Sequence, residues 1–191
     1  MVNTDGLLQS DSQLKLNTRQ NDLINLNGKV IGATETQLNI AGLNNQKGHI
    51  QATDKLDLQL NQSELDNQQG TLLSANNLLI DGKSIDNQQG VILAGNNTEI
   101  TLSQGLNNQI GQIQSQEQLT VTAQQLDNQQ TDDENLGLKA NNIHIAVNDL
   151  LNHQGVIQAS EQLKLIPTEN LNNQRGLISA AMLAIEGKKR K

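Results

Sequence analysis

Three histidines, twenty carboxylates and no cysteine are the stock from which any acid–base, nucleophilic or metal chemistry in this chain would be built. A metal centre needs imidazoles or carboxylates converging at fixed spacing. His49, His144 and His153 fall at three different positions of the repeat described below, so they imply no metal cluster. Asp66 and Asp86 occupy the same position in successive repeats, and Asp132-Asp133-Glu134 sit together. Stacked carboxylates about 5 Å apart suit an oxygen-seeking ion such as Ca²⁺. The plainer reading of both groups is solvated charge, with repulsion weakened by water. Glycan hydrolases and lyases need carboxylates gathered on one face. Asp54, Glu117 and Glu161 share a frame but belong to non-adjacent repeats, and no Ser-His-Asp set is visible. The expectation is no catalytic residue, no cofactor, no metal and no enzyme.

Composition constrains the elements that carry these residues. Net charge is −7, and the positive residues are scattered apart from the tail Lys188-Lys189-Arg190-Lys191. Nucleic-acid grooves need a basic face and usually stacking aromatics, so no nucleic-acid partner is expected. No apolar run approaches the ~20 residues that span a bilayer, so no membrane insertion is expected either. The start, MVNTDGLLQS, lacks the charged and apolar regions of a signal peptide, which fits an internal piece of a longer exported protein. Absence of Cys excludes a disulfide framework. The basic tail resembles a nuclear-localisation string, but a linker is the better reading in an exported protein. Only 35% of residues are apolar, and Phe, Tyr and Trp are absent. The chain carries 26 Asn and 26 Gln. That composition fits either a disordered amide-rich tract or a stacked repeat with amide ladders.

Regular aliphatic spacing decides for the stack. LNNQKG (43–48) returns as LDNQQG (65–70), IDNQQG (85–90), LNNQIG (106–111), LLNHQG (150–155) and LNNQRG (171–176). LDNQQT (126–131) has Thr131 in place of Gly. The leading aliphatics at 43, 65, 85, 106, 126, 150 and 171 are 22, 20, 21, 20, 24 and 21 apart. After most of these glycines, aliphatic or small residues recur at offsets +2, +4, +8 and +10, as in Ile50, Ala52, Leu56 and Leu58 after Gly48, while the final turn is compressed to Ile178, Ala180, Leu183 and Ile185. Steps of two mean strand alternation, and the step of four marks a bend. Weaker copies begin at Gly6 and Gly28. The sequence therefore predicts about nine turns of about 21 residues in one repeat domain, 1–187, with an insertion near 131–135.

Such a unit cannot bury its own aliphatic face, but stacking puts each inward Leu on the next. The expected fold is all-β, a parallel β-helix. The Asn three before each glycine, or before Thr131, is predicted to form an inward corner ladder: Asn45, Asn67, Asn87, Asn108, Asn128, Asn152 and Asn173. The glycine is expected either to take positive φ or to sit where a Cβ would clash. Leu73, Val91 and Leu93 should point outward on neighbouring turns, as a candidate partner strip. A leucine-rich repeat would need an LxxLxL run with its Asn in another frame, and a hexapeptide solenoid would show a period of six.

The motif L[ND]NQxGxIxAxxxLxI resembles the haemagglutinin repeat of filamentous haemagglutinins and contact-dependent inhibition exoproteins. The resemblance covers residues 6–187, most strongly 43–131 and 150–187. It implies a right-handed β-helical shaft on a Gram-negative cell surface, secreted through an outer-membrane transporter of a two-partner system. Such a shaft would stack on flanking turns of its parent and hold out an adhesive or toxic module, or itself meet a cell-surface receptor. The family's repeat region supplies no catalytic residue to carry over.

Overall fold

An aliphatic side chain at every second position, repeated in frame, commits each segment to a strand with one buried face. The computed structural model describes residues 1–18 and 20–187, which contain strands and turns and no helix. The basic tail 188–191 lies outside the described residues. The 22 strands belong to one continuous parallel ladder. One turn consists of His49–Ala52 in a first sheet, Lys55–Gln59 in a second and Glu64–Asp66 in a third. Each pairs in parallel with its counterpart one turn on: Thr71–Ser74, Asn77–Gly82 and Ser84–Asp86.

Eight complete turns run from Leu7 to Asn172, and Leu177–Ser179 with Met182–Ile185 add a two-strand ninth. The nine turns expected from the sequence are thus eight complete and one partial. The structure is a parallel β-solenoid of about 21 residues per turn. At about 4.8 Å per rung, eight turns make a rod roughly 38 Å long.

Register decides which side chains meet. In the first sheet Val30, Ile50, Leu72, Ile92, Ile113, Leu138 and Ile157 pair in sequence. The third sheet stacks Leu23, Leu43, Leu65, Ile85, Leu106, Leu126 and Leu150. All of these are buried. The second sheet places Thr98 between Leu78 and Leu119, and its hydroxyl takes a 2.7 Å bond from Ser115 Oγ. Every buried side-chain nitrogen and oxygen among the described residues has a partner. Leaving one unpaired would cost about 1–3 kcal/mol.

Two strands, Gly137–Leu151 and Val156–Asn172, run through all three sheets without a break. They turn the corners by register shifts at Ala140/Asn142 and Val147/Asp149. The single Pro, Pro167, lies beside the second shift.

Candidate functional site

Each turn from the third sheet to the first passes through the same corner. Asn45 Nδ2 donates to Asn67 Oδ1 at 2.7 Å, and Asn67 to Asn87 likewise. The chain of bonds continues through Asn108, Asn128, Asn152 and Asn173 at 2.7–2.8 Å. Toward the amino end it includes Asn25 and Asn3. Nine amides are therefore joined by eight links, all pointing the same way. Asn45, Asn67, Asn87, Asn108, Asn128 and Asn152 are fully buried, whereas Asn173 is half-buried. Asn3 and Asn25 are legible as Asn three before Gly6 and Gly28, but Thr4 and Leu26 follow them where Gln follows in most clear copies.

The left-handed residue of the corner is not the glycine. Positive φ falls one position earlier, at Lys47, Gln69, Gln89, Ile110, Gln130, Gln154 and Arg175, with values of 51–57°. Asn27 holds the same place at 51°. The corner is an Asn–x–x–Gly turn in which the glycine N–H donates to the Asn carbonyl, as Gly90 does to Asn87 at 2.9 Å. A φ > 0 at the third residue is the mark of a type II turn. Glycine is needed for another reason. A Cβ on Gly90 would stand 2.3 Å from Asn67 O and 2.5 Å from Asn87 Oδ1. Gly48, Gly70, Gly111, Gly155 and Gly176 meet the same two kinds of atom. The clash comes from the previous turn, so of the two alternatives for the glycine the close approach holds and the φ does not.

Thr131 shows what happens without the glycine. Its amide turns to Gln154 O at 3.0 Å, and the chain leaves the ladder until Gly137 rejoins it by donating to Gly111 O. Gly137 has φ +86° and is the one positive-φ glycine among the described residues. The Thr131 hydroxyl accepts the Val156 N–H at 2.9 Å. In regular corners that bond goes to a glycine carbonyl, as from Leu177 to Gly155. One hydroxyl thus stands in for the carbonyl carried away by the loop. Residues 132–135 are exposed, and Gln114 Nε2 holds the loop through Asn135 O at 3.1 Å.

The other candidates are dispersed. Asp66 and Asp86 do stack, but amides occupy them: Gln68 Nε2 reaches Asp86 Oδ2 at 2.7 Å, and Gln46 Nε2 reaches Asp66 Oδ2. Asn107 Nδ2 adds a further bond to Asp86 Oδ1 at 3.1 Å. Among the described residues no three His, Asp or Glu gather as a metal site. His49 lies on the first sheet beside Gln51, His144 on the second between Thr120 and Lys164, and His153 at the corner. Asn76 and Asn96 separate Asp54 from Glu117, and Glu161 accepts from Asn142 at 3.2 Å. Leu73 pairs with Leu93, flanked by Gln51 and Gln114, while Val91 lies between Thr71 and Gln112. All three aliphatics are half-buried, so the strip is two turns tall and bounded by amides. One ion pair is sheltered: Lys55 Nζ lies 2.8 Å from Asp57 Oδ2. The hydrogen bond from Lys55 to Asp57 raises the Lys55 ammonium above its ordinary pKa, against the opposing effect of burial.

Nothing in the sequence signals the groove that runs along the third sheet. It measures about 750 Å³ and is lined by Ser84, Asp86, Gly105, Asn107, Asp127 and Asp149 among others. It exists because small residues, Ser84 and Gly105, stack at one outward position while longer ones stand on either side. Polar side chains that accept and donate hydrogen bonds line it, which suits a polar ligand rather than an apolar one.

A family model described as haemagglutinin repeat matches residues 2–62, 57–104, 93–143 and 133–189, overlapping copies that span nearly the whole chain. No curated protein and no solved structure matches it.

Proposed function

Because this chain belongs to the haemagglutinin-repeat family, we propose that it is a shaft segment of a large secreted bacterial surface exoprotein, holding a distal adhesive or toxic module away from the producing cell. The observation that supports this reading is the unbroken corner ladder, eight links through every turn, beside a continuous aliphatic interior. Each turn is built to bear on the next, and His49, His144 and His153 lie at separate places around the rod. On this reading residues 1–187 act as one repeat domain, exported through an outer-membrane transporter of a two-partner system and stacked on flanking turns of the parent. The chain works outside the cell and is not an enzyme.

The polar groove on the third sheet favours a second reading, in which the segment itself contacts a receptor. Binding separates the two. A labelled chain titrated onto host cells and onto bacterial outer membranes should give no saturable binding if it is a spacer. Saturable binding that Asp86→Asn with Asp127→Asn removes would replace the spacer with an adhesive surface.

A further inference from the structure

The corner turn sets two demands that conflict chemically. Its third residue is left-handed, a conformation that Asn tolerates better than other side chains. Its fourth must be glycine, because the previous turn leaves no room for a Cβ. An Asn in the third place is therefore an Asn–Gly pair, and Asn is a thermolabile residue. In such a pair the glycine nitrogen bonds to the Asn Cγ while the Cγ–Nδ2 bond breaks, releasing ammonia and closing a five-membered succinimide. Water then opens the ring at either carbonyl, giving Asp or isoaspartate, in which the chain runs through Cγ. Glutamine would have to close a slower six-membered ring, and Lys, Ile or Arg carries no side-chain carbonyl.

The clear corners hold Lys47, Gln69, Gln89, Ile110, Gln130, Gln154 and Arg175 in the left-handed place. Each bears the strain, about 1–2 kcal/mol for a residue with a Cβ. The two weaker corners differ: Asp5 precedes Gly6 at φ 52°, and Asn27 precedes Gly28 in the chain's one Asn–Gly pair. The corner restrains that pair. The Asn27 side chain is exposed, but Gly28 is buried and its N–H donates to Asn25 O at 3.1 Å. Asn3 O lies only 2.1 Å from where a Cβ on Gly28 would be. The attacking nitrogen is thus pinned between its own turn and the turn above. That upper turn has the weaker grip, since its inward Leu8, Leu14 and Leu16 are only half-buried.

We propose that Asn27–Gly28 is a spontaneous deamidation site, kept latent by the corner and released when the first turn opens. Isoaspartate there lengthens the backbone by one carbon. The packed corner has no space for it, so the Asn3–Asn25 link, 2.7 Å in the intact chain, cannot re-form.

Peptide mapping tests this, with isoaspartate measured after incubation in mildly alkaline buffer, folded and in denaturing urea. The denatured chain should modify at residue 27. The folded chain should do so about tenfold more slowly or less, because reaction waits on local opening. Equal rates would overturn the gate, and no isoaspartate at residue 27 in urea would overturn the site. Asn27→Gln should abolish the ammonia-releasing product with the strand circular dichroism unchanged, leaving only the slower isomerisation of Asp5–Gly6 and Asp81–Gly82; ammonia release continuing at the same rate would also refute the assignment. Gln69→Asn places the same pair beneath a fully buried turn. It should react in urea yet lag residue 27 in the folded chain, and matching folded rates would show that opening of the first turn is not the gate.

Discussion

At the residue scale the corner separates two properties that are often read as one. Glycine in a turn suggests positive φ, yet here positive φ is carried by Gln, Lys, Arg and even Ile110, a β-branched residue at 54°. The glycine answers instead to a carbonyl from the turn before. Sequence spacing locates the Asn and the Gly correctly but leaves open which constraint the Gly serves, because the clash arises between residues about 20 apart. Each ladder Asn has two obligations, one to each neighbour. Asn87→Ala takes the acceptor from Asn67 Nδ2 and the donor from Asn108 Oδ1, both fully buried. It should lower unfolding free energy by about 2–5 kcal/mol, since each stranded buried group costs about 1–3 kcal/mol. Urea denaturation followed by circular dichroism measures this, and a loss under about 1 kcal/mol, far below that estimate, would mean water replaces the missing amide.

At the element scale, period-two spacing makes the inward columns legible from sequence alone: Ile50, Leu72, Ile92 and Ile113 are both in frame and in register. The third sheet is less legible, because its strands are two or three residues long and announce themselves by one inward aliphatic each. The groove beside it is invisible in the sequence for the same reason. It depends on Ser84 and Gly105 sharing a column, which no single repeat displays. Outward positions carry a different prediction from inward ones. Leu73→Asp with Leu93→Asp changes two half-buried outward side chains, so stability should fall by no more than about 1 kcal/mol in total. Leu72→Ala, one residue away and fully buried, should cost about 2–5 kcal/mol. Thermal melts of the two variants give the comparison, and reversal of their order would invert the strand register.

At the scale of the whole molecule, stability follows from neighbours alone. Each strand pairs with its counterparts one turn above and below, so a solenoid behaves as a one-dimensional array. Removing residues 86–106, one complete period from Asp86 to Leu106, brings Ile85 to Asn107 in the same frame. The shortened chain should remain folded with its strand spectrum intact, and small-angle scattering should find it shorter by roughly 5 Å. Deleting half a period instead should unfold or aggregate it, because a slip in frame sends aliphatics outward. An equal outcome for the two deletions would mean that the turns are not interchangeable. The turn that loops out at Thr131 fits this scheme, since the ladder closes behind it from Asn128 to Asn152 at 2.8 Å.

The eight aligned amide links and the sheet hydrogen bonds run from turn to turn, along the rod. A push along the axis therefore closes every rung on an aliphatic column that resists compression, whereas a pull loads the rungs in series. In series each rung carries the whole force, and added turns lengthen the rod without strengthening it. The molecule is a pillar by design and not a rope, and tension would first open it at its weakest rung and unwind the chain from there.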